Sequence, residues 1–269
     1  MTEDPVSDPY DIARLRRDLQ TSRFGHPLEY RDRVTSTNDR ILDMALRGAP
    51  EGTIALTEEQ TAGRGRRGHV WYSPPKMGIW SSFLLRPRLP GYHIPALTLC
   101  AAHAVAQVIE EVAHTAVWIK WPNDIILEDR KVAGILGESK TMPREGPCVV
   151  IGIGINVHHT IEQFPPELQK TATSLRIATG RPVVRQTLFC RLVETFEATY
   201  QQYLDRGLAP FLPDLSRRLA WRGHRVEVLD MTQTTIGKVV DVREDGSLML
   251  ETDDQGCVAI NSGTLRLRD

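Results

Sequence analysis

The sequence predicts an α+β protein: a mixed, largely antiparallel sheet flanked by helices, followed by a small all-β unit. Three features lead there. Stretches with helical spacing alternate with short apolar runs bounded by turn residues. "IPALTLCAAHAVAQVIEEVA" is apolar around most of its circumference, as a central, well-covered helix is. From about His224 the texture changes to short strands separated by turns such as Asp245-Gly246.

Taken in order, "DIARLRRDLQ" reads as one amphipathic helix within residues 1–34. "TSTNDRILDMALRG" predicts a capped helix. Ser36 or Thr37 can accept from the first free backbone N–H groups, Ile41/Ala45 and Leu42/Leu46 pair along one face, and Gly48 suits the stop. "GTIALTEEQ" predicts a strand feeding a loop, "AGRGRRGHVWYSP", and "GIWSSFLLRP" a strand leaving it. After the apolar helix, "AVWIKWPNDIILEDRKVAGILGES" predicts a strand, a Pro-Asn-Asp turn and a hairpin through "EDRK". "TMPREGP" reads as a surface connection and "CVVIGIGINV" as an apolar strand ending in small residues. A long amphipathic helix is expected from Pro182 to about Leu204, with Leu188, Leu192, Phe196 and Tyr200 at helical spacing. "LAPFLPDLSRRLAWRG" closes this unit, so the division falls between 1–221 and 222–269. The second unit is too short to have much core of its own.

Composition narrows the function. Apolar residues make up 41% and charged residues 25%, as in globular proteins, and the formal charge is −1. That balance argues against a general electrostatic affinity for DNA or an anionic membrane, so any basic patch is local. The N-terminus "MTEDPVSDPYD" is acidic and polar, unlike a signal peptide, and no run has the length of a membrane span. The four cysteines, Cys100, Cys148, Cys190 and Cys257, are far apart and form no C-x-x-C pair; their even number allows disulfides, but the chain's size and the absence of an export signal favour reduced thiols and a cytoplasmic setting.

The basic patch is the Gly/Arg loop. Gly63, Gly65 and Gly68 let backbone N–H groups approach an anion, while Arg64, Arg66 and Arg67 supply guanidinium forks that match phosphate and carboxylate oxygens. No G-x-x-x-x-G-K-[ST] pattern is present, so this is not a P-loop, and a solvated basic turn or an RNA contact stays open. "GIGINV" lacks the third glycine of a dinucleotide fingerprint; Gly152 and Gly154 fit either a flat group lying on the strand or close backbone packing. Lys120, within an apolar strand, either points to solvent or meets an anion. Lys131 beside its turn reads as solvated, and Trp71 as a stacking ring or a core anchor. His158 and His159 lack metal-ligand spacing, and no hydrolase or zinc signature appears.

In their order these pieces say more. "STN", "EEQTAGRGRRGHVWYSP", "KWPNDI", "KVAGILGE" and "GIGIN" closely resemble the biotin–protein ligase family, with five blocks in register from Ser36 to Asn156. The long helix and the β unit also look like the family's remaining parts. The resemblance implies a two-step ligase. Biotin and Mg·ATP form biotinyl-5′-adenylate, and a lysine of a biotin carboxyl carrier domain, of acetyl-CoA carboxylase or a related carboxylase, then takes the biotinyl group. It implies biotin contacts at Ser36, Thr37, Asn38, Gln60, Arg64, Gly65, Arg66, Lys131 and Gly134. It implies nucleotide contacts at Arg64, Arg66, Arg67, Trp71, Lys120, Gly154 and Asn156, and catalytic roles for Lys120, Lys131 and Arg66. Asp124 is the implied holder of Mg²⁺ or of the lysines. The fold expected from it is a core similar to class II aminoacyl-tRNA synthetases followed by an SH3-like barrel, in a monomer or homodimer.

Some family members carry an N-terminal helix-turn-helix module. Only 35 residues precede Ser36 here and they read as one helix with a polar leader, so a monofunctional ligase without operator binding is expected. Two other readings compete: a lipoate or octanoyl ligase of related architecture, and a nucleic-acid-binding regulator using the arginine loop. The second predicts a net basic, aromatic-rich face, whereas aromatics are 6% of this near-neutral chain.

Overall fold

A computed structural model describes residues 8–87, 94–142, 146–230 and 233–268. The chain runs α1 (Ile12–Asp18), β1 (Leu28–Val34), α2 (Thr37–Leu46), β2 (Ile54–Gln60), β3 (Gly78–Leu85), α3 (Ile94–Ala113), β4 (Trp118–Lys120), β5 (Asp124–Leu127), β6 (Arg130–Met142) and β7 (Gly146–Asn156). It continues α4 (Leu175–Thr179), α5 (Arg185–Arg206), α6 (Leu212–Arg218), β8 (Arg225–Leu229), β9 (Thr234–Val242), β10 (Leu248–Thr252), β11 (Gly256–Ile260) and β12 (Thr264–Leu267). Seven strands form a sheet in the order β1-β2-β3-β7-β6-β5-β4. Only the β1–β2 pair is parallel, giving the mixed, largely antiparallel sheet that was expected. Strand β1 itself was not foreseen.

The period-two alternation of side chains sorts the sheet's two faces. Ile54, Leu56, Phe83, Leu85, Val149 and Ile151 join the large core with α3 and α5. Their neighbours Ala55, Leu84, Cys148 and Val150 face the other way, onto Ile41 and Ala45 of α2. Helix α3 is long and apolar enough to cross a membrane, but most of its surface is buried in this core. Helix α2 covers only part of its face of the sheet. Beyond it the strands carry small residues, and that bare floor is where the site lies.

The C-terminal unit is a second antiparallel sheet, ordered β11-β10-β9-β8-β12. Where an SH3-like barrel was expected, the described pairings leave β11 and β12 as open edges. Its apolar residues Val226, Val228, Val239, Leu248, Leu250 and Leu265 belong to the same cluster as the main core. Trp121 Nε1 donates to Gly246 O across the junction at 2.9 Å. The long helix begins at Arg185, three residues after the expected Pro182, because Val184 takes the N-cap position. The connection read from "TMPREGP" falls partly on 143–145, outside the described residues.

Candidate active site

Sheet register gathers the floor. Trp80, Gly154, Gly134, Asp124 and Lys120 are successive cross-strand partners on β3, β7, β6, β5 and β4. They therefore share one face, the one α2 leaves open. A parallel row brings Ser82, Gly152 and Leu136 together. Lys131 would alternate onto the opposite face, but the register shifts between Ile125 and Ile126, setting Lys131 opposite Ile126 and burying Val132 in the core. That bulge turns Lys131 into the site.

Two adjoining cavities result. The inner chamber, about 220 Å³, is lined by Ser36, Thr37, Asn38, Gln60, the loop from Arg64 to Arg67, Trp71, Lys120, Asp124, Lys131, Gly134 and Gly154, with Gly263 and Thr264 from the C-terminal sheet. The outer cavity, about 940 Å³, holds Asn156, Trp118, Phe164, Lys170 and Trp221. Trp71, Lys120, Asp124 and Lys131 border both. Every residue to which the resemblance gave a biotin, nucleotide, catalytic or Mg²⁺ role thus lines one chamber or the other, whereas Gly63, Gly68, His158 and His159 line neither.

At the deep end, Ser36 occupies the N-cap position of α2 but its side chain makes no capping bond. Gln60 takes that role from the end of β2. Its Oε1 accepts from the Thr37 N–H at 2.9 Å and from Thr37 Oγ1 at 3.1 Å, while its Nε2 donates to Ser73 Oγ at 3.0 Å. Asn38 Oδ1 accepts from Ser82 Oγ at 2.5 Å, and its Nδ2 donates to Glu138 Oε2 at 2.6 Å. A side chain at Gly152 would collide with Asn38, so glycine there opens the room Asn38 fills.

The three loop arginines have three different fates. Arg64 Nη2 lies 2.7 Å from Asp39 Oδ1 and 3.0 Å from Glu138 Oε2. Arg67, in a left-handed conformation (φ 54°), turns away to Asp230, 3.3 Å, and Thr264 Oγ1, 3.2 Å. Arg66 Nη1 donates to Asn123 Oδ1 at 3.3 Å and to Gly263 O at 3.1 Å, and no described carboxylate pairs with it. Burial, helped by the Arg67 charge, lowers the Arg66 pKa. The Gly65 N–H donates to His69 O at 2.7 Å, closing the loop on itself.

Lys131 Nζ lies 2.6 Å from Asp124 Oδ1 and 5.1 Å from the centre of the Trp71 ring. The contact with Asp124 is an ion pair rather than an aligned hydrogen bond. Lys120 Nζ sits 4.8 Å over the Trp221 ring, and no described carboxylate pairs with it. Burial pushes its pKa down and the Lys131 and Arg266 charges add to that, while Asp124 opposes them. The Trp71 indole lies against Gly154 and Gly134, where a Cβ on Gly154 would strike it, and its buried Nε1 has no partner among the described residues. The flat group on these glycines is thus the protein's own ring. Asn156 is buried and its Nδ2 donates to Thr173 O at 3.0 Å. Among the described residues Asp124 is the single carboxylate lining the inner chamber, and they contain no group of three His, Cys, Asp or Glu arranged around a metal position.

Such a site can hold a ligand with a hydrogen-bonding group at its deep end and a strongly anionic middle. The comparisons with known proteins agree in kind. Residues 30–156, the span holding every singled-out residue from Ser36 to Asn156, match the family model described as the biotin/lipoate A/B protein ligase family. The bifunctional ligase/repressor BirA of Bacillus subtilis strain 168 is 37% identical over 261 residues, covering 95% of this chain and 78% of that protein. The chain belongs to this ligase family. Within it, the biotin--[acetyl-CoA-carboxylase] ligase of Mycobacterium tuberculosis is 31% identical over 98% of both chains. The biotin protein ligase of Aquifex aeolicus, solved in complex with biotin and ATP, superposes with a TM-score of 0.78 at 28% identity, covering 90% of this chain and 98% of that one.

Against the family's matched span, the parts that sequence reasoning missed are Asn123, which carries a signal in the "KWPND" turn, and Glu138, Gly263 and Thr264. The last two come from outside residues 30–156 and carry no local motif. Only the folded chain brings them to the loop.

Proposed function

We propose that this chain is an ATP-dependent biotin–protein ligase that makes biotinyl-5′-adenylate and passes the biotinyl group to a lysine of a biotin carboxyl carrier domain. The observation that carries the reading is a pair of half-buried cations with no carboxylate partner among the described residues: Lys120, which borders both chambers, and Arg66, which lines the inner one. A buried cation without a protein anion is costly, and an anionic ligand removes that cost.

In this reading the inner chamber takes biotin. Ser36, Thr37, Asn38 and Gln60 offer donors and acceptors to its ring, and Gly65 and Gly134 flank it. The outer cavity takes the nucleotide, with Asn156 at its wall and with Trp71, seated on Gly154, between it and the inner chamber. A carboxylate oxygen of biotin attacks the α-phosphorus of ATP, and the bond to pyrophosphate breaks. Like charges oppose that approach. Lys120, Lys131 and Arg66 offset the repulsion, and they do so most strongly as the bond forms, which is what accelerates the step. Arg64 and Arg67 hold the loop over the product, which keeps water from the mixed anhydride. The acceptor's amine then attacks the acyl carbon, the acyl–oxygen bond breaks, and AMP leaves.

Mg²⁺ arrives with the triphosphate. Asp124, the one carboxylate among the described residues of the chamber and paired with Lys131, would help hold that ion, which would supply charge neutralisation at the phosphates. Residues 1–221 carry the chemistry and 222–269 hold the loop in place. The need for ATP supports a cytoplasmic setting, and the near-zero net charge supports a protein partner rather than DNA.

The test is direct. The pure protein with ATP, Mg²⁺ and biotin should exchange added radiolabelled pyrophosphate into ATP, and with radiolabelled biotin in place of that label should mark a carrier domain when one is added. Exchange that lipoate supports equally well would move the assignment to the lipoyl branch of the family; no exchange at all would end it.

A further inference from the structure

The loop roofing the inner chamber has a hollow on its far side as well, about 610 Å³, bordered by Asp39, Ala62 to Val70, Leu136 and Glu138. Arg64 borders both spaces, and its Nη2 is shared by Asp39 and Glu138. The same Glu138 oxygen, Oε2, also accepts from Asn38 Nδ2. Asn38 is part of the chamber wall. One carboxylate oxygen therefore joins the wall of the ligand chamber to its roof.

We propose that Glu138 is a positioning residue for the ligase reaction: with Asp39 it latches the Gly/Arg loop shut through Arg64, and through Asn38 it ties that closure to the chamber. The proposal rests on the biotin–protein ligase reading. Two carboxylates converge on one guanidinium nitrogen, so lifting the loop leaves them facing each other without a cation. Their mutual repulsion then adds to the lost pairing. Arg64, committed in this way, serves the ligand by holding the roof. The loop's other end is fixed by Arg66 and Arg67 on Gly263, Thr264 and Asp230. Because the three charged groups of the latch are each about a third to a half exposed, the effect is modest, about three- to fivefold in the opening equilibrium.

Glu138→Gln keeps an acceptor for Asn38 and removes the charge. Asp39→Asn removes the other charge without touching the chamber. In the ligand-free protein, hydrogen exchange over residues 63–70 should speed up about three- to fivefold in each variant. Escape of biotinyl adenylate from the enzyme should rise by a similar factor. In an Arg64→Gln background, Glu138→Gln should add nothing, since the pair it breaks is already gone.

Unchanged exchange in both variants, or full additivity with Arg64→Gln, overturns the latch. Faster exchange with unchanged adenylate escape overturns the positioning role. Wild-type protein that forms no adenylate counts against the ligase reading instead, and the exchange measurements still decide the latch.

Discussion

Two sets of buried cations in this molecule differ in what surrounds them. Arg185, with a side chain 0% exposed, is enclosed by Glu58 at 2.7 Å and Asp8 at 3.4 Å and lies over the Tyr10 ring. Arg218 is similarly held by Glu110 at 2.5 Å and Asp214 at 2.7 Å. In both, hydrogen-bonding carboxylates outweigh the opposing effect of burial and raise the pKa. Arg66 and Lys120 are also drawn out of water, yet no described carboxylate pairs with either, and their pKa values go down. A charge that the protein has already neutralised builds structure. One it has left open awaits a ligand.

The contrast predicts opposite phenotypes. Arg185→Met should be the largest single effect on stability, about 3–5 kcal/mol, because it strands Glu58 and Asp8 in the interior. Whatever fraction folds should still form adenylate with near-normal kcat. Lys120→Ala should do the reverse. Its denaturation midpoint should hold or rise, while adenylate formation falls on the order of 100-fold, the worth of one well-placed donor. Urea titrations beside single-turnover adenylation measure both. If Lys120→Ala unfolds the protein, or Arg185→Met spares its stability, the division between the two sets fails.

How far this was legible in the sequence follows the range of the interactions. Helix α2, helix α5 and the β5–β6 hairpin are set by local spacing and turn chemistry, and were read to within a few residues. Strand β1, "LEYRDRV", was not, because its second half is charged like the sheet edge it forms and the alternation is lost. The site residues were named through the order of the motifs. Their arrangement depends on things no motif shows: the bulge at Ile125/Ile126 that turns Lys131 inward, and the C-terminal backbone at Gly263 that receives Arg66. Gln60 as the cap of α2 is another case, since a strand end supplies what Ser36 or Thr37 was expected to supply.

A smaller effect tests the open charges by pH. Lys120 has its pKa lowered from 10.5, chiefly by burial. Its ammonium binds an anion, and a bound anion favours the charged form, so the complex has the higher pKa. Affinity for biotinyl adenylate should therefore be full where Lys120 is charged in the free protein and fall as pH rises through its value there, below 10.5. Lys120→Arg, which stays charged, should flatten that decline. Calorimetric titrations from neutral to alkaline pH would show a slope in the wild type alone. A flat wild-type profile would mean that Lys120 does not meet the ligand.

The sharpest comparison is between neighbours. Arg66 and Arg67 are adjacent, equally cationic, and part of the same loop. Arg67 already has Asp230 and Thr264, with side chains about a third exposed at the ion pair. A pair of that kind contributes less than about 1 kcal/mol. Arg67→Ala should therefore slow adenylate formation by less than about fivefold, and Asp230→Asn should match it, since both loosen one anchor. Arg66→Ala removes from the inner chamber a cation that no described carboxylate pairs with and should lose on the order of 100-fold, without gaining anything from a second change at Asp230. Equal losses for the two arginines would show that the loop acts through its summed charge, and the placement of each guanidinium would then not matter.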